Sequence, residues 1–145
     1  KGKTLNRIKQ FVIDTHAERM VARKKYFFDS IIEKCMDVGK SFSIYEQWRI
    51  IVQNFIFEKP VMIGICPRTP RPNDLYQLEQ DMFKANEELL KANNDLPIPE
   101  YAILVHDAEN YEKQTIALNY WSLSGNLVDM KELEQLLAEL KPDNL

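Results

Sequence analysis

Three groups of residues have types and spacing that could do chemistry. His106 and Asp107 stand side by side near Glu109 and Glu112. An imidazole among carboxylates can serve as a general base or a metal ligand. A site also needs convergent partners, however, and the chain has no second His pair and no G-x-S-x-G nucleophile pattern. With His16, His106, Cys35 and Cys66 as its only histidines and cysteines, the chain also lacks the usual ligand set of a structural zinc. Neither a catalytic residue nor a metal or cofactor is expected. An enzyme fragment using His106 stands as the third reading.

The second group is the segment Pro67-Arg68-Thr69-Pro70-Arg71-Pro72. Three prolines exclude both helix and ladder pairing, so this is a stiff loop. Arg68 and Arg71 could hold a phosphate or carboxylate beside the N-terminus of a following helix. The loop has no glycine to wrap an anion, and Asp74 in the next turn opposes one.

The third group is the basic N-terminus. Lys1, Lys3, Arg7, Lys9, Arg19, Arg23, Lys24 and Lys25 face only Asp14 and Glu18, a net of +6 over residues 1–25. All six arginines fall within residues 1–71, which hold 14 basic and 7 acidic residues. Residues 72–145 hold 5 basic against 15 acidic. One half of the chain therefore attracts an anionic partner that the other repels, unless the two neutralise each other. Arg7, Lys9, Arg19, Arg23, Arg68 and Arg71 are the candidate anion- or partner-binding residues.

The elements that must position these groups follow from periodicity. Residues 4–13 carry a short apolar helical rhythm. From Ala17 to Val38, Met20, Val21, Phe27, Phe28, Ile31, Ile32, Cys35 and Val38 share a face, and Gly39 ends the helix. The two segments form either two helices or one long helix, since Thr15 to Glu18 has capping-box spacing. Lys24 falls within the apolar arc, as does Glu79 on a later helix, so the two either snorkel or pair. Ser43 to Glu46 is a second capping box and predicts another helix, with Trp48, Ile51, Val52 and Phe55 inward, closed by Pro60.

Val61 to Cys66 then reads as a strand buried on both faces. Asn73 caps a helix over 74–93, and strands follow over 101–105 and 114–123, paired antiparallel through a polar loop. From Leu127 a last amphipathic helix, capped by Asp129, runs to a tail at 142–145. The expectation is an α+β fold in which N-terminal helices precede a β-α-β-β-α unit with a small three-stranded mixed sheet. Residues 1–145 then form a single domain, with a helical basic part over 1–58 and a mixed β/α acidic part over 59–141.

At 45% hydrophobic and 28% charged residues the composition is that of a globular chain, and no apolar run reaches the length of a membrane span. Two isolated cysteines and no N-glycosylation sequon favour a reducing, cytoplasmic (intracellular) setting. The chain begins at Lys1 and reads as a piece of a longer protein. The preferred expectation is a non-catalytic interaction module that binds a protein partner, or its parent chain, through a charge-polarised surface. The alternative is an accessory nucleic-acid-binding domain acting through the basic helices. Against that alternative, the 74–93 helix carries Glu79, Asp81, Glu87 and Glu88 against two lysines, and no GxxG loop is present.

Overall fold

A computed structural model describes residues 2–56, 59–68, 70–92, 98–106, 127–140 and 142. The first element is one long helix, α1 (Gly2–Asp37), of 36 residues. No proline and no glycine interrupts it after Gly2, and at 1.5 Å per residue it is about 54 Å long. The helical rhythms expected over 4–13 and 17–38 thus belong to one helix. It ends where expected. Gly39 takes φ +72°, the Gly39 N–H donates to Met36 O at 3.1 Å, and the Lys40 N–H donates to Cys35 O at 2.9 Å. This paired closure needs a left-handed residue just past the helix, which glycine adopts without a Cβ penalty.

The helix expected from Ser43 is not formed. In its place are strands β1 (Phe42–Ile44) and β2 (Arg49–Ile56), paired antiparallel with Ile44 opposite Ile50. The Tyr45 N–H donates to Arg49 O across a three-residue turn. The reason is burial on both faces. Ile50, Val52 and Phe55 point into one core and Ile51 into the other, so no polar alternation marks the strand. Trp48, Ile51, Val52 and Phe55 then fit helical spacing equally well. The consecutive β-branched Ile50, Ile51 and Val52 favour the extended chain.

Strand β3 (Lys59–Cys66) pairs antiparallel with β2, so Pro60 lies second in a strand instead of closing a helix. Residues 61–66 are all buried, as expected for a strand covered on both sides. Helix α2 (Pro72–Lys91) then leads to β4 (Tyr101–His106), which runs parallel to β3. Strand β5 (Leu127–Asp129) is parallel to β4, and α3 (Met130–Ala138) follows it directly. Asp129 caps α3 as expected, accepting the Glu132 N–H at 2.8 Å, but Leu127 to Asp129 are strand, not helix. Arg71 takes the N-cap position of α2 that was expected of Asn73, because Pro72 already has helical φ at the first position.

The architecture is α+β: three helices among the described residues around a mixed, open sheet of five strands in the order β1-β2-β3-β4-β5. Among the described residues the sheet has five strands against the three expected, because the segments of β2 and β5, and most of β1, carry apolar spacing that also fits a helix. The strand expected over 114–123, and its antiparallel pairing, lie outside the described residues.

Two cores sandwich the sheet. On one face Phe27, Ile31 and Cys35 of α1, with Leu133 and Leu137 of α3, pack on Ile50, Val52, Ile63, Ile103 and Val105. On the other, Leu75, Leu78 and Ala85 of α2 pack on Ile51, Met62, Ala102 and Leu104. Gly64 lets α2 approach: a Cβ there would lie 2.8 Å from a Leu78 methyl and 2.9 Å from Arg49 Nη1. The two halves of the chain partly neutralise each other, through Arg49–Asp81 at 2.9 Å, Arg68–Asp74 at 2.8 Å and Lys34–Glu134 at 3.4 Å.

Candidate functional site

Only the last third of α1 supplies buried side chains; the first two turns and more stand clear of the sheet. Leu5, Ile8, Phe11 and Val12 are 53–70% exposed. Between the free and packed portions, the middle of α1 forms one wall of a cavity of about 780 Å³, with His16, Met20, Arg23 and Lys24 on it. The β1–β2 turn adds Gln47, Trp48 and Arg49. The carboxyl ends of β3 and β4 supply Ile65, Cys66 and Leu104. The following loop adds Pro67, Arg68 and Arg71, and the start of α2 brings Asn73, Asp74 and Gln77. A crevice outside the carboxyl ends of parallel strands is where open sheets commonly bind ligands.

Five cationic side chains line this cavity against a single carboxylate, Asp74. That carboxylate is already committed. Both guanidinium Nη atoms of Arg68 donate to it at 2.8 Å, the Arg71 N–H donates at 2.8 Å and the Cys66 thiol lies 3.7 Å away. Burial alone would raise the Asp74 pKa, but the Arg68 fork and the Arg71 N–H outweigh it and hold the carboxyl below its usual range. The expected repulsion of an anion by Asp74 is therefore largely cancelled. Hydrogen bonding to Asp74 raises Arg68 in turn. Arg49 is held similarly, its Nε donating to Asp81 at 2.9 Å.

Trp48, which lines the cavity, has φ +69°, and Glu46, in the same β1–β2 turn, has φ +50°. Left-handed backbone at a bulky residue costs about 1–3 kcal/mol and is characteristic of functional positions. The Trp48 ring meets Phe28 edge-on, with centroids 5.6 Å apart. On the far side of the turn, Tyr45 Oη donates to Glu88 at 2.9 Å; burial and that bond push the phenol well above its ordinary range.

Of the six residues expected to bind an anion or partner, the fold brings Arg23, Arg68 and Arg71 to one cavity. Arg19 lies in a shallow hollow with Phe11, Val12, Thr15 and His16, while Arg7 and Lys9 are exposed along the free part of α1. Lys24, the charge out of register, finds its place on the cavity wall; Glu79 does not line it. Trp48 and Arg49 join the site without a sequence signal, because the helical spacing that follows Ser43 masks the turn that presents them.

His106 is the last residue of β4 and only 1% exposed, beside Cys66 and Asp129 in register, and it does not line the cavity. Its expected acidic neighbours Asp107, Glu109 and Glu112 lie outside the described residues. Cys35 and Cys66 are free, buried thiols in opposite cores, with burial pushing Cys35 up to about 11. Among the described residues no group of three His, Cys, Asp or Glu side chains is placed to hold a metal ion, and no helix is long and apolar enough to cross a membrane. Compared with models of protein families, with curated proteins and with solved structures, the chain matches none.

Proposed function

We propose that this chain is a non-catalytic interaction module that docks an acidic amphipathic segment of a partner protein along the free part of α1. One observation carries the reading: four large apolar residues, Leu5, Ile8, Phe11 and Val12, are exposed on a helix framed by cations. At about 100° per residue these four span roughly 120° of the helix surface, with Arg7 at one edge and Lys9 at the other. Arg19 continues the same face two turns on. An apolar stripe edged by like charge suits a helix whose own stripe is edged by Glu and Asp, since burial supplies affinity and charge supplies register.

The test uses a synthetic helix of Leu and Glu heptads, a polyglutamate peptide and a single-stranded oligonucleotide as probes, followed by fluorescence anisotropy. The amphipathic probe is expected to bind, and Ile8→Ser with Phe11→Ser to weaken it about tenfold, the loss of two buried side chains at an interface. Polyglutamate, with charge but no stripe, is expected to bind far more weakly. An oligonucleotide that binds best, loses affinity steeply with salt and ignores both serine substitutions would replace this reading by the nucleic-acid alternative.

A further inference from the structure

We propose that the cavity at the carboxyl ends of β3 and β4 is a binding site for a small organic phosphate, a phosphate ester carried on a planar or apolar body. The site does not depend on the apolar stripe of α1 or on Arg7 and Lys9, so it goes beyond the docking function.

Charge comes first. Arg23 and Lys24 reach the cavity from α1, and Arg71 from the N-cap of α2. Arg68 and Arg49 stand with them, each fixed in place by an internal carboxylate. Paired with Asp74 and Asp81, Arg68 and Arg49 add hydrogen-bonding edges and little net charge, so the positive charge of the cavity rests on Arg23, Lys24 and Arg71, which come from two different elements. Cations arriving from separate elements suit a dianion that can accept from several directions at once better than a single carboxylate. The start of α2 adds its positive dipole end on the same side.

Size and apolar lining come second. A volume of about 780 Å³ falls within the roughly 300–1,000 Å³ of small-molecule pockets and far exceeds what a bare ion fills. Met20, Trp48, Ile65 and Leu104 add apolar surface to its lining. Trp48 reaches that place through a left-handed backbone and, while its ring also packs edge-on against Phe28, it lines the cavity. Asn73 and Gln77 supply amides that can orient polar edges of the body. A phosphate on a flat ring uses the cationic and the apolar lining together.

The experiment is isothermal titration of the full chain with 1-naphthyl phosphate, ADP, 1-naphthol and inorganic phosphate. Saturable binding of 1-naphthyl phosphate or ADP at one site is expected, with inorganic phosphate and 1-naphthol each at least about tenfold weaker, because each makes only one of the two kinds of contact. Lys24→Glu and Arg71→Glu, made singly, should each lower affinity about tenfold or more through the lost and reversed charge. Arg7→Glu with Lys9→Glu should leave it unchanged, which separates this site from the docking stripe. A thermal melt of each variant reports folding, and if Lys24→Glu disturbs α1 the exposed Arg71→Glu still decides. The proposal is overturned if no probe saturates at millimolar concentration, if inorganic phosphate binds as tightly as the esters, or if Arg71→Glu binds like the parent chain. A single-stranded oligonucleotide that displaces the esters at far lower concentration would also overturn it, making the cavity part of a strand-binding groove.

Discussion

Asp74 shows how much one carboxylate organises. It closes the first turn of α2 by accepting the Arg71 N–H, fixes the Arg68 guanidinium with two bonds and borders the Cys66 thiol. Its folded pKa lies below its ordinary value of about 3.9. A depressed carboxyl contributes stability that is present above its unfolded value and is lost as pH falls through the folded one. Urea unfolding at a series of pH values should therefore show stability declining below about pH 4, with Asp74 as one contributor. Asp74→Asn should be less stable at neutral pH by about 1 kcal/mol, a value reduced for the partial exposure of Arg68, and its acid decline should be shallower. An unchanged acid profile in Asp74→Asn would mean that other carboxylates control it.

At the scale of elements, α1 is two functional pieces on one continuous helix. Its last third is core: Phe27 is 6% exposed, Ile31 and Cys35 are fully buried, and all three face the sheet. Its first part exposes Phe11 at 70%. The same substitution should then have opposite consequences along the helix. Phe27→Ala should cost about 3–5 kcal/mol through lost burial and the cavity it leaves. Phe11→Ala should change stability by less than about 0.5 kcal/mol, as surface replacements do. Chemical denaturation of the two variants checks this, and a large loss in Phe11→Ala would show that the apolar stripe is already covered within the chain. The β1–β2 turn belongs at this scale too, since Glu46 and Trp48 hold a left-handed path that sets one indole against Phe28 and into the cavity lining.

For the whole molecule, the basic N-terminal half is not an appendage to an acidic sheet. It supplies β1 and β2, and β2 pairs with β3 along the middle of the sheet. Helices α1 and α3 cover one face and α2 the other, so both cores need residues from both halves. Tryptophan fluorescence and near-ultraviolet circular dichroism should accordingly report one coincident thermal transition. A chain starting at residue 59 should fail to show it, because β3 would lose its antiparallel partner and one core its α1 side. Two separated transitions, or a stable fragment over 59–145, would show that the halves fold apart.

The sequence by itself determined the features that rest on local stereochemistry and one-sided burial. Gly39 had to end α1 and Asp129 had to cap α3. Pro67 and Pro70 stand outside any helix or strand, although Pro72, also expected in the loop, opens α2. Leu75 and Leu78 of α2 face inward, while Phe83 and Leu90 of the same apolar rhythm are exposed. It also carried the charge polarity that makes Arg23, Arg68 and Arg71 candidates at all. What only the tertiary structure decided was everything that depends on covering both sides of a strand. Residues 49–56 are apolar toward two cores at once, which erases the alternation that distinguishes strand from helix. The convergence of Lys24, Trp48, Arg49 and Arg71 on one cavity follows from that decision. Residues about 20 to 50 positions apart meet only once β2 is a strand, its turn is bent through Trp48, and α1 and α2 are packed on opposite faces of the same sheet.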